Sequence, residues 1–151
     1  MEKHRKIYDI SMITVFGIGS DSALDRIGWQ IMEPLSHRFA SALMVFHGLR
    51  DPVELATRLP DVEHAVLIDA CNRPFGEVAW VTPAELHVSR SLSSHALPLP
   101  DLLAMAYALN PGLRCDIIGL GIEGGESDQK RLLSLVLPEL EALLRTLVEA
   151  E

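Results

Sequence analysis

Two acids and an imidazole stand out in this chain, because each falls where a strand gives way to a loop. Asp25 follows the turn Gly17-Ile-Gly19 at the start of a helical stretch, Asp69 closes the apolar run Val66-Leu-Ile68, and His95 ends the loop Ser91-Leu-Ser-Ser-His95. Two carboxylates and one imidazole can ligate a borderline divalent metal and leave coordination positions open. They can equally act as an acid/base set on a water molecule. Taken singly, Asp25 doubles as a helix N-cap and His95 as an ordinary loop histidine. Asp69 is harder to explain away, since an unpaired carboxylate in a buried strand is costly.

Other chemistry-bearing residues have plainer roles. Gly17-Ile-Gly19-Ser-Asp-Ser22 has the start of a dinucleotide-binding turn, but Ser22 stands in place of the third glycine. Asp21 and Asp25 would also repel a phosphate there. His47 with Gly48, at the end of a strand, is the one further histidine expected to reach the same edge, and Glu123-Gly-Gly-Glu126 is expected to be a loop bordering it. His4 lies in a basic start, His37 and His64 flank elements, and His87 lies in a polar loop. Cys71 and Cys115 sit in apolar runs as small buried thiols, too few for a disulfide framework or a four-thiolate metal site. No serine-centred nucleophile elbow is present.

Strand-like runs at residues 13–19, 41–46, 64–69, 77–82 and 114–122 must position these groups. Their nearly continuous apolar character suits strands covered on both faces of a mostly parallel sheet. Between them lie helical stretches. Asp25 to Arg38 carries Ile27, Ile31 and Leu35 on one stripe, with Pro34 expected to break its last turn. Asp51 to Leu59 opens with an acid and Pro52, and a helix from Pro100-Asp101 to Leu109 stops at Asn110-Pro111-Gly112. Ser127 to Glu149 closes the chain with Leu133, Val136, Leu137, Leu140, Leu144 and Leu147 on one side, and Pro138 is expected to bend or split it. The third and fourth runs are too close for a crossover, which predicts an antiparallel hairpin between them. The expected fold is one domain over residues 1–151, a three-layer α/β/α sandwich around a twisted, mostly parallel five-stranded sheet with one antiparallel strand. Ligands in such sheets gather at the carboxyl ends of the strands.

Composition narrows the partners. With 13 Lys+Arg against 21 Asp+Glu, the net charge is −8, and no basic stripe is available to displace counterions from nucleic acid. Hydrophobic residues at 48% and charged residues at 23% describe a globular chain. No stretch approaches the roughly 18 uninterrupted apolar residues of a membrane span. The start Met1 to Gly19 lacks the features of a signal peptide, so a cytoplasmic location is expected.

From about Met12 to Leu147 the chain resembles the hydrogenase maturation proteases, which trim the carboxyl tail of nickel–iron hydrogenase large subunits. The resemblance is carried by Val15-Phe-Gly-Ile-Gly19, Asp25-Arg-Ile-Gly-Trp29, Val66-Leu-Ile-Asp69-Ala70, Ser94-His95-Ala-Leu-Pro-Leu-Pro-Asp101-Leu-Leu103 and Ile117-Ile-Gly-Leu-Gly-Ile122. It implies a three-layer sandwich. It further implies that Asp25, Asp69 and His95 contact nickel already inserted in the substrate, so that metal presence licenses cleavage, with no permanently bound cofactor. The implied partner is a large-subunit precursor; the chain itself is expected to be a monomer. The chain departs from the family pattern at Ser20, where asparagine is usual. It has one acid, Asp25, where two adjacent acids are usual, and His47-Gly48-Leu49 where a glycine-glycine-threonine segment handles substrate. A nickel-checking binding protein without cleavage and a small-molecule hydrolase on a similar sandwich are the two alternatives to the peptidase reading.

Overall fold

In the computed structural model, described for residues 12–19, 23–39, 43–50, 53–83, 85, 99–124 and 128–149, five strands form one sheet in the order β2-β1-β3-β5-β4. The strands are β1 (Ile13–Ile18), β2 (Met44–Leu49), β3 (His64–Pro74), β4 (Val78–Trp80) and β5 (Arg114–Glu123). β1 runs parallel to both β2 and β3, β3 runs parallel to β5, and β4 alone is antiparallel, against β5. The helices are α1 (Ile27–Gln30), α2 (Met32–Arg38), α3 (Glu54–Arg58), α4 (Leu99–Leu109) and α5 (Gln129–Glu149).

Side chains alternate across a strand, and the sheet buries both sets. Val66, Ile68 and Ala70 of β3 pack with Ile27, Leu35, Val136 and Leu140 on one face. Ala65, Leu67 and Cys71 pack with Leu55, Leu102, Leu103 and Ala106 on the other. Hence α1, α2 and α5 form one outer layer and α3 and α4 the second, as expected of the three-layer sandwich. The stripe of α5 runs through Leu132, Val136, Leu140, Leu144 and Leu147, with Leu133 and Leu137 only partly buried beside it.

Several boundaries differ from the sequence expectations. The stretch 25–38 is a 3-10 turn, Ala23–Arg26, followed by α1 and α2 with a break at Ile31. Pro34 accounts for the break: it has no N–H to donate to the Gln30 carbonyl, while Ile31 N and Leu35 N still donate to Ile27 O and Ile31 O at 3.1 Å each. β2 lies at Met44–Leu49, so His47 and Gly48 belong to the strand itself. Pro138 does not split α5, which is continuous from Gln129 to Glu149 and is capped by Asp128, whose Oδ1 accepts from Arg131 N at 3.1 Å. Asp51 and Pro52 lie outside the described residues, and α3 begins at Glu54.

The expected β3–β4 hairpin is not formed. β3 continues five residues past Asp69, and β3 and β4 flank β5 on opposite sides. The register of β3 on β5 shifts between Cys71 and Pro74, and the chain crosses over the end of β5. Gly121 permits the crossing: a Cβ there would overlap the Pro74 carbonyl oxygen and lie 2.8 Å from that of Arg73. On the far side Gly76 N donates to Gly121 O at 3.0 Å and Gly121 N donates to Glu77 O at 2.7 Å.

Candidate functional site

Asp69 is placed by register rather than by the end of its own strand. It pairs with Ile18, the last residue of β1, on one side and with Gly119 of β5 on the other. It therefore stands on the carboxyl rim where β1 stops, although β3 runs on. Its side chain belongs to the α3/α4 face with Leu67 and Cys71 and is 1% exposed. The negative charge of Asp69 helps raise the Cys71 thiol, which burial above all pushes up to about 11. Cys115 is pushed up to about 12 by burial and by Asp116. Both cysteines are free; Cys71 is buried, as expected, whereas Cys115 is only partly buried.

Asp25 belongs to the turn Ala23–Arg26, which packs against β3. The carboxyl rim thus receives its backbone, while its side chain lies outside the described residues. The approach depends on glycine in both partners. A Cβ on Gly17 would overlap the Gly28 carbonyl oxygen, and one on Gly28 would overlap that of Ile18, so α1 can sit directly on β1. His95 lies outside the described residues, as do His4, Ser20 to Ser22, His87 and Gly125 to Ser127. Among the described residues, no group of three His, Cys, Asp or Glu side chains could hold a metal ion.

His47 reaches the rim end of β2, beside Phe16 of β1, with ring centroids 5.8 Å apart. Burial, and then the positive charge of Arg58, lower its pKa, so it is held toward the neutral imidazole. His37 is exposed on α2. His64 is 4% exposed at the start of β3, and its Nε2 lies 2.8 Å from Asp116 Oδ2, a pairing at the opposite end of the sheet.

Sequence reasoning missed a clamp beside the rim. Arg73, on the crossing segment, donates from Nη1 to Glu77 at 2.7 Å and from Nη2 to Glu85 at 2.8 Å. Glu85 also accepts from Thr82 N at 2.8 Å, while its own N–H donates to Thr82 O at 3.1 Å. Thr82-Pro83-Ala84-Glu85 is a capping box with proline at the first helical position, the available signal that a helical turn begins here. Cys71, Asn72, Arg73 and Glu85 line a cleft of about 210 Å³. A second cleft of about 260 Å³, lined by Trp80, Leu103, Tyr107 and Cys115 among others, lies between β4, β5 and α4.

No protein-family model and no curated protein matches the chain by sequence. Solved structures do match. A NiFe hydrogenase maturation protease, HycI from Thermococcus kodakarensis, aligns with a TM-score of 0.68 at 18% identity, covering 95% of this chain and 99% of that one. The endopeptidase HycI from Escherichia coli aligns at 0.57 and 18% identity, over 87% of this chain and 90% of the other. The hydrogenase 2 maturation peptidase from a Thaumarchaeota archaeon aligns at 0.56 and 17%, over 89% and 97%. No helix among the described residues is long and apolar enough to cross a membrane. Nearly end to end, this chain carries the α/β/α fold of the solved hydrogenase maturation proteases.

Proposed function

We propose that this protein is a cytoplasmic endopeptidase that removes the C-terminal extension of a nickel–iron hydrogenase large-subunit precursor after nickel insertion. Asp25, Asp69 and His95 are the residues that read the metal. The observation that carries the reading is Asp69, a carboxylate 1% exposed in the central strand β3, at the rim where β1 ends. Such a group is costly to keep in a core that could be wholly apolar. The rim is where ligands bind in parallel sheets. The near-complete fold match to proteins named as maturation proteases supports the same conclusion.

In this reading the nickel arrives as part of the substrate. Carboxylates and an imidazole suit it as ligands, and the two acids and the histidine would hold the precursor so that its scissile peptide lies beside the ion. Hydrolysis adds water across the C–N bond, releasing the tail peptide with a new amino terminus. The metal charge supplies Lewis-acid polarisation, and a rim carboxylate can take the proton of the attacking water.

The test is to mix the protein with nickel-loaded and nickel-free precursor and weigh the products. Loss of a C-terminal peptide from the loaded sample alone is the expected result. A stable complex without mass loss would replace the protease by a nickel-checking binding protein. Indifference to both samples would leave a small-molecule hydrolase.

A further inference from the structure

Two sets of arginines contrast among the described residues. Arg38, Arg73, Arg114 and Arg145 each pair with a carboxylate. Arg26, Arg50 and Arg58 make no ion pair among the described residues, and all three belong to the segments that follow β1 and β2. Arg26 and Trp29 are three apart across the turn and α1, hence on one side of it. The Arg26 Nε and Trp29 Nε1 atoms are buried, yet neither has a hydrogen-bond partner among the described residues. Trp29 lies against Gly48, and the exposed Arg50 places its Cζ 5.0 Å from the Trp29 ring centroid. The Arg50 guanidinium thus lies on the Trp29 ring beside the end of β2, with Arg26 on the same side of α1, and the Arg26 Nε and Trp29 Nε1 donors there are unspent among the described residues.

Buried donors without acceptors are uncommon and costly in a folded protein, and beside them the exposed Arg50 guanidinium is open to a ligand. Guanidinium groups match carboxylates in a bidentate geometry. The net charge of −8 opposes a dense polyanion at long range, so a fitting ligand carries a few carboxylates among neutral residues. We infer that Arg26, Trp29 and Arg50 form a docking patch for an acidic segment of a partner polypeptide. That this polypeptide is the cleaved precursor rests on the protease reading above; the patch itself does not.

Two measurements separate these statements. Fluorescence anisotropy of a labelled peptide carrying a pair of glutamates among glycine and serine residues is recorded with the wild-type protein, Arg50→Glu, Arg50→Lys and, as a control at the opposite end of the sheet, Arg114→Glu. The patch requires binding that weakens at least about tenfold in Arg50→Glu, less in Arg50→Lys and little in Arg114→Glu, and that fades with added salt. Absent binding, or equal binding by wild type and Arg50→Glu, overturns it. Processing of nickel-loaded precursor is measured separately, where Arg50→Glu is expected to raise KM about tenfold with kcat within about twofold. An unchanged KM overturns the docking of the precursor on the patch. If the wild type fails to cleave the precursor, the protease reading falls, and the anisotropy alone decides the patch.

Discussion

Replacing Gly28 by alanine should loosen the joint that carries the Asp25 turn to the sheet. The added Cβ would overlap the Ile18 carbonyl oxygen, and it would lie 2.7 Å from the carbonyl carbon and 3.1 Å from Ile18 N, whereas ordinary van der Waals contact begins at 3.4 Å. Every atom it meets is backbone in β1, so no side chain can rotate away, and the helix and strand backbones must part by more than an ångström. Forcing an extra carbon into a packed site costs typically about 1–3 kcal/mol, and a collision with backbone on both sides belongs at the upper end, about 3 kcal/mol. For a chain of 151 residues that lowers the midpoint of thermal unfolding by about 6–12 °C. Gly112→Ala is the internal control, because its nearest neighbour, Asn110 Oδ1, is 4.0 Å away, and its cost should be within about 0.5 kcal/mol of zero. Circular dichroism melts of the three proteins suffice. If Gly28→Ala melts within 2 °C of wild type, the inference that close backbone approach holds α1 on β1 is wrong.

Asp69→Asn preserves shape and is expected to lower precursor processing at least about 100-fold while the melting curve keeps its shape; wild-type turnover would remove Asp69 from the site. His95→Ala and Asp25→Ala are expected to behave in the same way. Cys71, at about 11, has about one thiolate in a thousand at pH 8, against about one in ten at the ordinary 9.0. Iodoacetamide should therefore label it about a hundredfold more slowly in the native protein than in urea, and equal rates would contradict its burial. The raised thiol pKa values also make stability fall as pH climbs above about 9. There the unfolded thiols release protons while the folded ones retain theirs, to about 11 for Cys71 and about 12 for Cys115. Urea melts between pH 8 and 10.5 test the sign, and rising stability would refute it. Pro138→Ala should stabilise α5 by about 2 kcal/mol, since proline costs about 3 kcal/mol in a helix interior and gives back up to about 1 by stiffening the unfolded chain. A melting point that stays level or drops would show that the helix has already adapted to the missing N–H.

The sequence alone determined the layer count, the five strands and the identity of Asp69 as the residue hardest to explain structurally. These properties follow from local hydrophobic pattern and from the cost of burying charge, and both act within a few residues of the position concerned. Tertiary structure decided the rest. That β4 joins β5 rather than β3 depends on Gly121, far along the chain from Pro74, leaving room for the Pro74 carbonyl. That Asp69 lies at a rim while its own strand continues to Pro74 depends on where β1, a different segment, happens to stop. The meeting of Arg26, Trp29 and Arg50 depends on α1 lying against the end of β2. Each is a relation between distant segments, and no periodicity within either segment encodes it, because distance along a chain does not constrain distance in space once the chain has folded back on itself.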